Sequence, residues 1–105
     1  RTIIIRFFSR IVFAFFSMEF NKNIIPESIE EIGEGAFDEC SNLKEVYCKA
    51  VIPPKVKWGN SSNHDLFKNN ALGRKIYVPY EFVDAYKKAP LWKIYAKDIV
   101  GFDYE

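Results

Sequence analysis

The sequence predicts a short α/β solenoid, with parallel strands along one face, short helical turns along the other and a helical cap at the C-terminal end. Three observations predict it. One segment matches another at a shift of thirty positions, and the apolar residues near the middle of the chain recur at intervals set by turns rather than by one helical or strand period. The last quarter then changes to a helical stripe of aromatic residues. Length agrees with a single domain: 105 residues, 49% of them hydrophobic and 17% aromatic, supply enough apolar surface for one core.

The shift superimposes Phe37 on Phe67, Cys40 on Asn70, Val46 on Ile76 and Tyr47 on Tyr77, so that AFDECSNLKEVYC lies over LFKNNALGRKIYV. Leu43 falls on Gly73, and Leu72 is expected to fill that apolar place. Each copy ends in a short strand. Side chains at i+3 and i+5 of Leu43 share one face of an extended segment, so Val46 and Cys48 point inward and Tyr47 outward, as do Ile76, Val78 and Tyr77 by analogy. A weaker upstream copy has two registers, through Phe15, Met18 and Phe20 or through Phe8, Ile11 and Phe13.

Stacked coils account for the spacing in IPESIEEIGEGAFDEC, residues 25–40. A coil must turn back within about two dozen residues to lay its next strand beside the last. Ile29 and Ile32 then face the core through a turn, Gly33 relaxes the backbone after it, and Ala36 and Phe37 sit on a short helical segment that Cys40 closes. The glutamates at 27, 30, 31 and 34 fall on the solvent side. The expected core of the repeats is Ile29, Ile32, Phe37, Cys40, Leu43, Val46, Cys48, Phe67, Ile76 and Val78.

IPESIEEIGEGAFDECSNLKEV resembles the repeat of the BspA-like leucine-rich repeat proteins, a bacterial surface and secreted family, with that family's IP, IG, AF, C and L positions filled. EVYCKAVIPP and NNALGRKIYVPYEFVDAYKKAPLWKIYAKDIVGFDYE are similar to the module with which many such proteins end. The resemblance covers about residues 24–105. It implies a leucine-rich-repeat solenoid of the secreted or bacterial cell surface, in the manner of an adhesion module, and it implies no particular ligand. Family members carry many repeats before this terminus, whereas one clear repeat and one divergent coil are present here. VKWGNSSNHD, residues 56–65, reads as a polar surface loop.

Three regions follow: an atypical aromatic first coil or targeting-like segment over 1–23, the coils over 24–79, and the cap over 80–105. In RTIIIRFFSRIVFAFFSMEF, Arg6 and Arg10 precede an apolar run from Ile11 to Met18 as in a secretory signal, but no small-residue cleavage site follows. The charges at Arg6, Arg10 and Glu19 also break the span short of the ~20 apolar residues that a transmembrane helix needs. A packed first coil is the favoured reading. Its aromatics would leave an apolar end, which invites a homodimer through the N-terminal segment. With no initiator Met, the chain reads as the end of a longer protein or as a whole one. In the cap, Tyr80 to Ala89 is expected to form a helix with Val83, Tyr86 and Ala89 on one side and Pro90 as its stop. Trp92, Tyr95 and Ile99 continue the stripe at helical spacing, and GFDYE reads as an acidic terminus with no anchor.

Chemistry is sparse. Fifteen basic and fourteen acidic residues leave a charge of +1, without the basic excess of a nucleic-acid binder. Cys40 and Cys48 match no zinc or redox spacing and read as small core residues. His64, with Ser61, Ser62 and Asp65, lies in one polar run, where no fold element holds the base between its partners as a triad requires. No phosphate loop, metalloprotease motif or calcium loop is present, and neither enzyme, cofactor nor metal is expected. The outward positions of the strands, Glu45, Tyr47, Lys49, Lys75 and Tyr77, form the candidate binding surface for a protein or a glycan. Tyr47 and Tyr77 would stand about 4.8 Å apart on neighbouring strands. The competing expectation is that paired tyrosines only stabilise those strands, in a cap that has no ligand of its own.

Overall fold

The computed structural model describes residues 6–8, 11–13, 21–33, 37, 40–57 and 66–104. The molecule is a small α/β domain built from parallel strands in two sheets. Among the described residues, the first sheet joins β1 (Arg6–Phe8), β2 (Ile11–Phe13), β4 (Glu31–Gly33) and β6 (Lys55–Lys57) in that order. The second joins β3 (Lys22–Ile25), β5 (Glu45–Cys48), β7 (Lys75–Pro79) and β8 (Ile99–Phe102). All pairings are parallel except the antiparallel β1 and β2. From β3 to β7 the chain visits the two sheets alternately, so each strand pairs with the next but one.

The thirty-position shift read from the sequence is the register of β5 against β7: Glu45 lies opposite Lys75, Val46 opposite Ile76 and Tyr47 opposite Tyr77. Strand β5 alternates half-buried and buried residues because β-branched Val46 and small Cys48 fit the inner side of the pleat. All ten of the expected repeat-core residues, from Ile29 to Val78, are buried, each at most 4% exposed. They join Ile25, Ala50, Leu66, Tyr86, Leu91, Trp92, Tyr95 and Ile99 in one cluster. The stacked pair Phe37 and Phe67, with ring centroids 5.1 Å apart, spans the two copies of the repeat at its centre.

Several expectations are corrected. Where turns were expected around Ile32 and Gly33, the chain forms β4; Gly33 lies in that strand, where its backbone has no left-handed φ to relax. Strands β4 and β6 pair with one another in the first sheet, while the short helical segment expected from Ala36 to Cys40 falls largely outside the described residues. Val56 and Lys57 belong to β6 rather than to a loop, and residues 58–65, with His64, lie outside the described residues. So do Ala36 and the upstream copy through Phe15, Met18 and Phe20. Leu72 does not fill the place of Leu43, for it is 96% exposed on a turn. Gly73 takes φ +77° there, a left-handed conformation that glycine adopts without a steric cost and that reverses the chain into β7. The boundary expected at residue 23 falls within β3, which pairs in parallel with β5, Lys22 opposite Glu45.

The C-terminal region is a cap of mixed structure. A 3₁₀ turn, Tyr80–Phe82, leads into α1 (Val83–Lys88), which ends at extended Ala89 before Pro90. A second 3₁₀ segment, Trp92–Asp98, follows. Ile99 then leaves the helical stripe and opens β8, which adds to β7 with Ile76 opposite Ile99 and Pro79 opposite Phe102. Gly101 and Phe102 of the acidic end GFDYE thus belong to the last strand of the sheet. Gly101 permits this docking, because a Cβ there would come within 2.7 Å of Tyr80 Cβ.

Three buried side chains of this region tie their polar tips to the backbone of earlier segments. The Tyr86 hydroxyl donates to the Ala50 carbonyl at 2.5 Å and lies 3.2 Å from Cys48 Sγ. Trp92 Nε1 donates to the Pro54 carbonyl at 2.8 Å. The Tyr95 hydroxyl accepts the backbone amides of Leu66 and Phe67 at 2.9 and 3.1 Å. Each bond satisfies a backbone group that burial would otherwise leave unpaired. Arg74 completes the junction: its guanidinium pairs with Asp98, donates to the Phe67 carbonyl and lies over the rings of Phe67 and Tyr95 at 5.2 and 5.1 Å.

Candidate interaction face

Alternation along parallel strands puts every second residue of the second sheet on its solvent side. The resulting grid is simple. Its first row runs Lys22, Glu45, Lys75 across β3, β5 and β7, and its second runs Ile24, Tyr47, Tyr77, Val100 across all four strands. Beyond the second row come Lys49, just after β5, and Phe102 at the end of β8. The five residues expected at a binding surface therefore share one side of one sheet. Sequence reasoning missed the apolar members Ile24, Val100 and Phe102, which are 48%, 38% and 38% exposed. The signal for Ile24 was the alternation in KNII beside a second copy displaced by 23 residues; that for Val100 and Phe102 was hidden because IVGF continues a helical stripe.

The aromatic geometry is specific. Tyr47 and Tyr77 stack with centroids 4.8 Å apart and planes 16° from parallel, while Phe102 meets both edge-on at 5.4 and 5.7 Å. Tyr104 packs against Phe102 at 4.8 Å and donates its hydroxyl to the Tyr77 carbonyl at 2.6 Å. Lys49 Nζ lies 5.9 Å from the centre of the Tyr104 ring. Tyr47 donates to Glu45 Oε1 at 2.9 Å, and that bond to a carboxylate raises the phenol's pKa above its ordinary value. Burial does the same for Tyr104. Neither phenol ionises near neutral pH, so the row offers ring edges, methyl groups and neutral hydroxyls flanked by lysine and glutamate.

Elsewhere the buried polar groups have structural work. The Cys48 thiol is pushed up to about 11 by desolvation, against a smaller lowering by its contact with Tyr86, and holds its proton as a core group rather than as a nucleophile. Cys40 is likewise buried and free of any disulfide. No three His, Cys, Asp or Glu side chains converge to hold a metal among the described residues. Nor is any described helix long and apolar enough to cross a membrane.

No protein-family model matches the chain, and no curated protein is significantly similar to it.

Proposed function

We propose that the chain is a short leucine-rich-repeat solenoid of the BspA-like kind and that it acts as a non-catalytic interaction module through the solvent side of its second sheet. The coiled path supports the first part. The chain alternates between two sheets, with strand offsets of 23 residues from Lys22 to Glu45, 24 from Glu31 to Lys55 and 30 from Glu45 to Lys75. The family resemblance brings a secreted or bacterial-surface setting with it, and an adhesion-like role.

The observation that carries the binding role is the uninterrupted solvent-facing row Ile24, Tyr47, Tyr77, Val100, bordered by Phe102 and by lysines. Tyrosine supplies contact area and hydrogen-bonding capacity at low entropic cost, which suits it to interfaces. Ring orientation favours a protein over a glycan. Tyr47 and Tyr77 each turn one ring face to the other and Phe102 packs edge-on against both, which leaves less open ring face on which a sugar could stack.

The same stacking supports a second reading, in which the tyrosines only join neighbouring strands and the module caps a longer array. Affinities of the wild-type chain and of the double variant Tyr47→Ala, Tyr77→Ala for panels of purified extracellular proteins and of free glycans separate the two. The binding role requires a partner whose affinity falls at least about tenfold in the variant, the scale of one interface anchor. Binding that survives both substitutions, or no binding in either panel, favours the structural reading.

A further inference from the structure

Among the described residues the two sheets end in four edge strands, β1 and β6 in the first sheet and β3 and β8 in the second. Three of them carry a cation. Arg6 stands in β1, Lys22 in β3, and Lys55 and Lys57 in β6. Charge on an edge strand keeps it from pairing with another chain, because the incoming strand would have to desolvate that charge. Strand β8, IVGF, has neither charge nor proline. Two of its side chains are also open to water, Val100 and Phe102 at 38% exposure each.

The ladder shows which backbone groups lie on that edge. Lys75 donates its N–H to the Lys44 carbonyl and so faces β5, and alternation turns the backbone of Ile76 and Val78 toward β8. In a parallel pair only one of two opposed residues faces the other strand. Ile99 and Gly101, which lie opposite Ile76 and Val78, therefore turn their backbone groups away from β7. The Ile99 N–H goes to the Ala96 carbonyl. Gly101 is exposed and directs both its N–H and its carbonyl to the outer edge.

We infer that β8 is a self-pairing edge, on which β8 of a second copy lies antiparallel with the two Gly101 residues opposed at the two-fold axis. The strand is matched to itself in that register. The glycines exchange two backbone hydrogen bonds, and each Val100 stands opposite Phe102 of the other copy on the solvent side, a favourable pairing of a β-branched with an aromatic residue. On the inner side no side chain has to be seated: a Cβ at Gly101 would already come within 2.7 Å of Tyr80 Cβ, and the opposed residue is again glycine. An extended peptide of arbitrary sequence gains the backbone bonds without the two side-chain pairs, and its central side chain would point to the side that Tyr80 occupies. The contact is short, so the dimer is weak, with a Kd of roughly 0.1–1 mM. The pairing uses the backbone edge of β8 and does not rest on the binding role proposed for the solvent side of the sheet.

The test is a concentration series of the full chain from about 0.05 to 2 mM, by sedimentation equilibrium and by amide NMR, with a mixed sample of isotope-labelled and unlabelled chains to detect contacts between copies. The mass should rise toward that of a dimer, the Gly101 amide should shift in step with it, and the Val100 methyl groups should show contacts with the Phe102 ring of the other copy. Val100→Lys gives β8 the cation that the other edges carry and should weaken association about tenfold or more, whereas Val100→Ile should leave it within about twofold. If Val100→Lys does not fold, N-methylation of Gly101, introduced with a synthetic C-terminal peptide, removes the edge donor without adding a Cβ and should abolish pairing. A monomer at the highest concentration overturns the proposal. So does a dimer in which the Gly101 amide stays in place, which assigns association to another surface such as the N-terminal segment. Tighter binding of a blocked extended peptide of unrelated sequence than of a second copy, read at Gly101, also overturns it and assigns the edge to a strand of another protein.

Discussion

The cap and the sheet face use the same residue types in opposite ways. In the cap, Tyr86 and Trp92 are fully buried and Tyr95 nearly so, and each polar tip is bonded to the backbone of an earlier turn. On the sheet face, Tyr47 and Tyr77 are half-buried and stack on one another. The difference teaches that an aromatic residue's role here depends on where its polar tip goes. A tip bonded to buried backbone makes the ring a fastener between distant segments, whereas a ring bonded within its own surface row leaves the row free for other contacts.

Breaking a fastener should have the largest effect. Trp92→Ala removes a fully buried indole and the donor to the Pro54 carbonyl, and should cost about 3–5 kcal/mol in urea unfolding. Tyr86→Phe keeps the ring but strands the Ala50 carbonyl, for about 1–3 kcal/mol by the same measurement.

The alkaline limb of stability sharpens the contrast, because Cys48 meets the Tyr86 hydroxyl in the core. Its folded-state pKa of about 11 lies above the ordinary 9.0, so the folded chain keeps the proton that the unfolded chain releases. The stabilisation is full below pH 9 and is lost as pH rises from 9 through 11, amounting to about 3 kcal/mol. Urea unfolding across that window should show the loss, and Cys48→Ala should reduce it, leaving the share of Tyr86 and Tyr104, whose phenols burial also holds above their ordinary value.

The smallest expected effect is a gain. Asn23 occupies an inward position of β3 opposite Val46, and its Oδ1 finds no donor among the described residues. Asn23→Val should therefore raise stability by about 1 kcal/mol in urea unfolding, since the unpaired acceptor disappears and apolar surface replaces it. No change, or a loss, would show that Asn23 has a partner the contrast does not include.

What the sequence made legible follows from which interactions are local. The register of β5 against β7 was readable because both copies keep Phe, the apolar pair of the strand and the tyrosine at one spacing. The outward direction of Glu45, Tyr47, Lys49, Lys75 and Tyr77 then followed from strand alternation. Strands β4 and β6 were not readable, because EIG and KVK are three residues each and their extended form is decided by pairing across the stack. Likewise Ile99 fits a helical stripe from Trp92, and only the neighbouring β7 makes it a strand. Leu72 was assigned inward because the thirty-position shift left Gly73 in the place of Leu43, but the turn at Gly73 leaves Leu72 in solvent.

The most direct test compares urea unfolding of the double variant Tyr47→Ala, Tyr77→Ala with that of Trp92→Ala. The surface row should lose no more than about 1–2 kcal/mol, the worth of one stacked cross-strand pair, and the cap substitution about 3–5. A surface loss as large as that of Trp92→Ala would contradict the account. The tyrosines would then be fasteners too, and the sheet face would have no residues to spare for a partner.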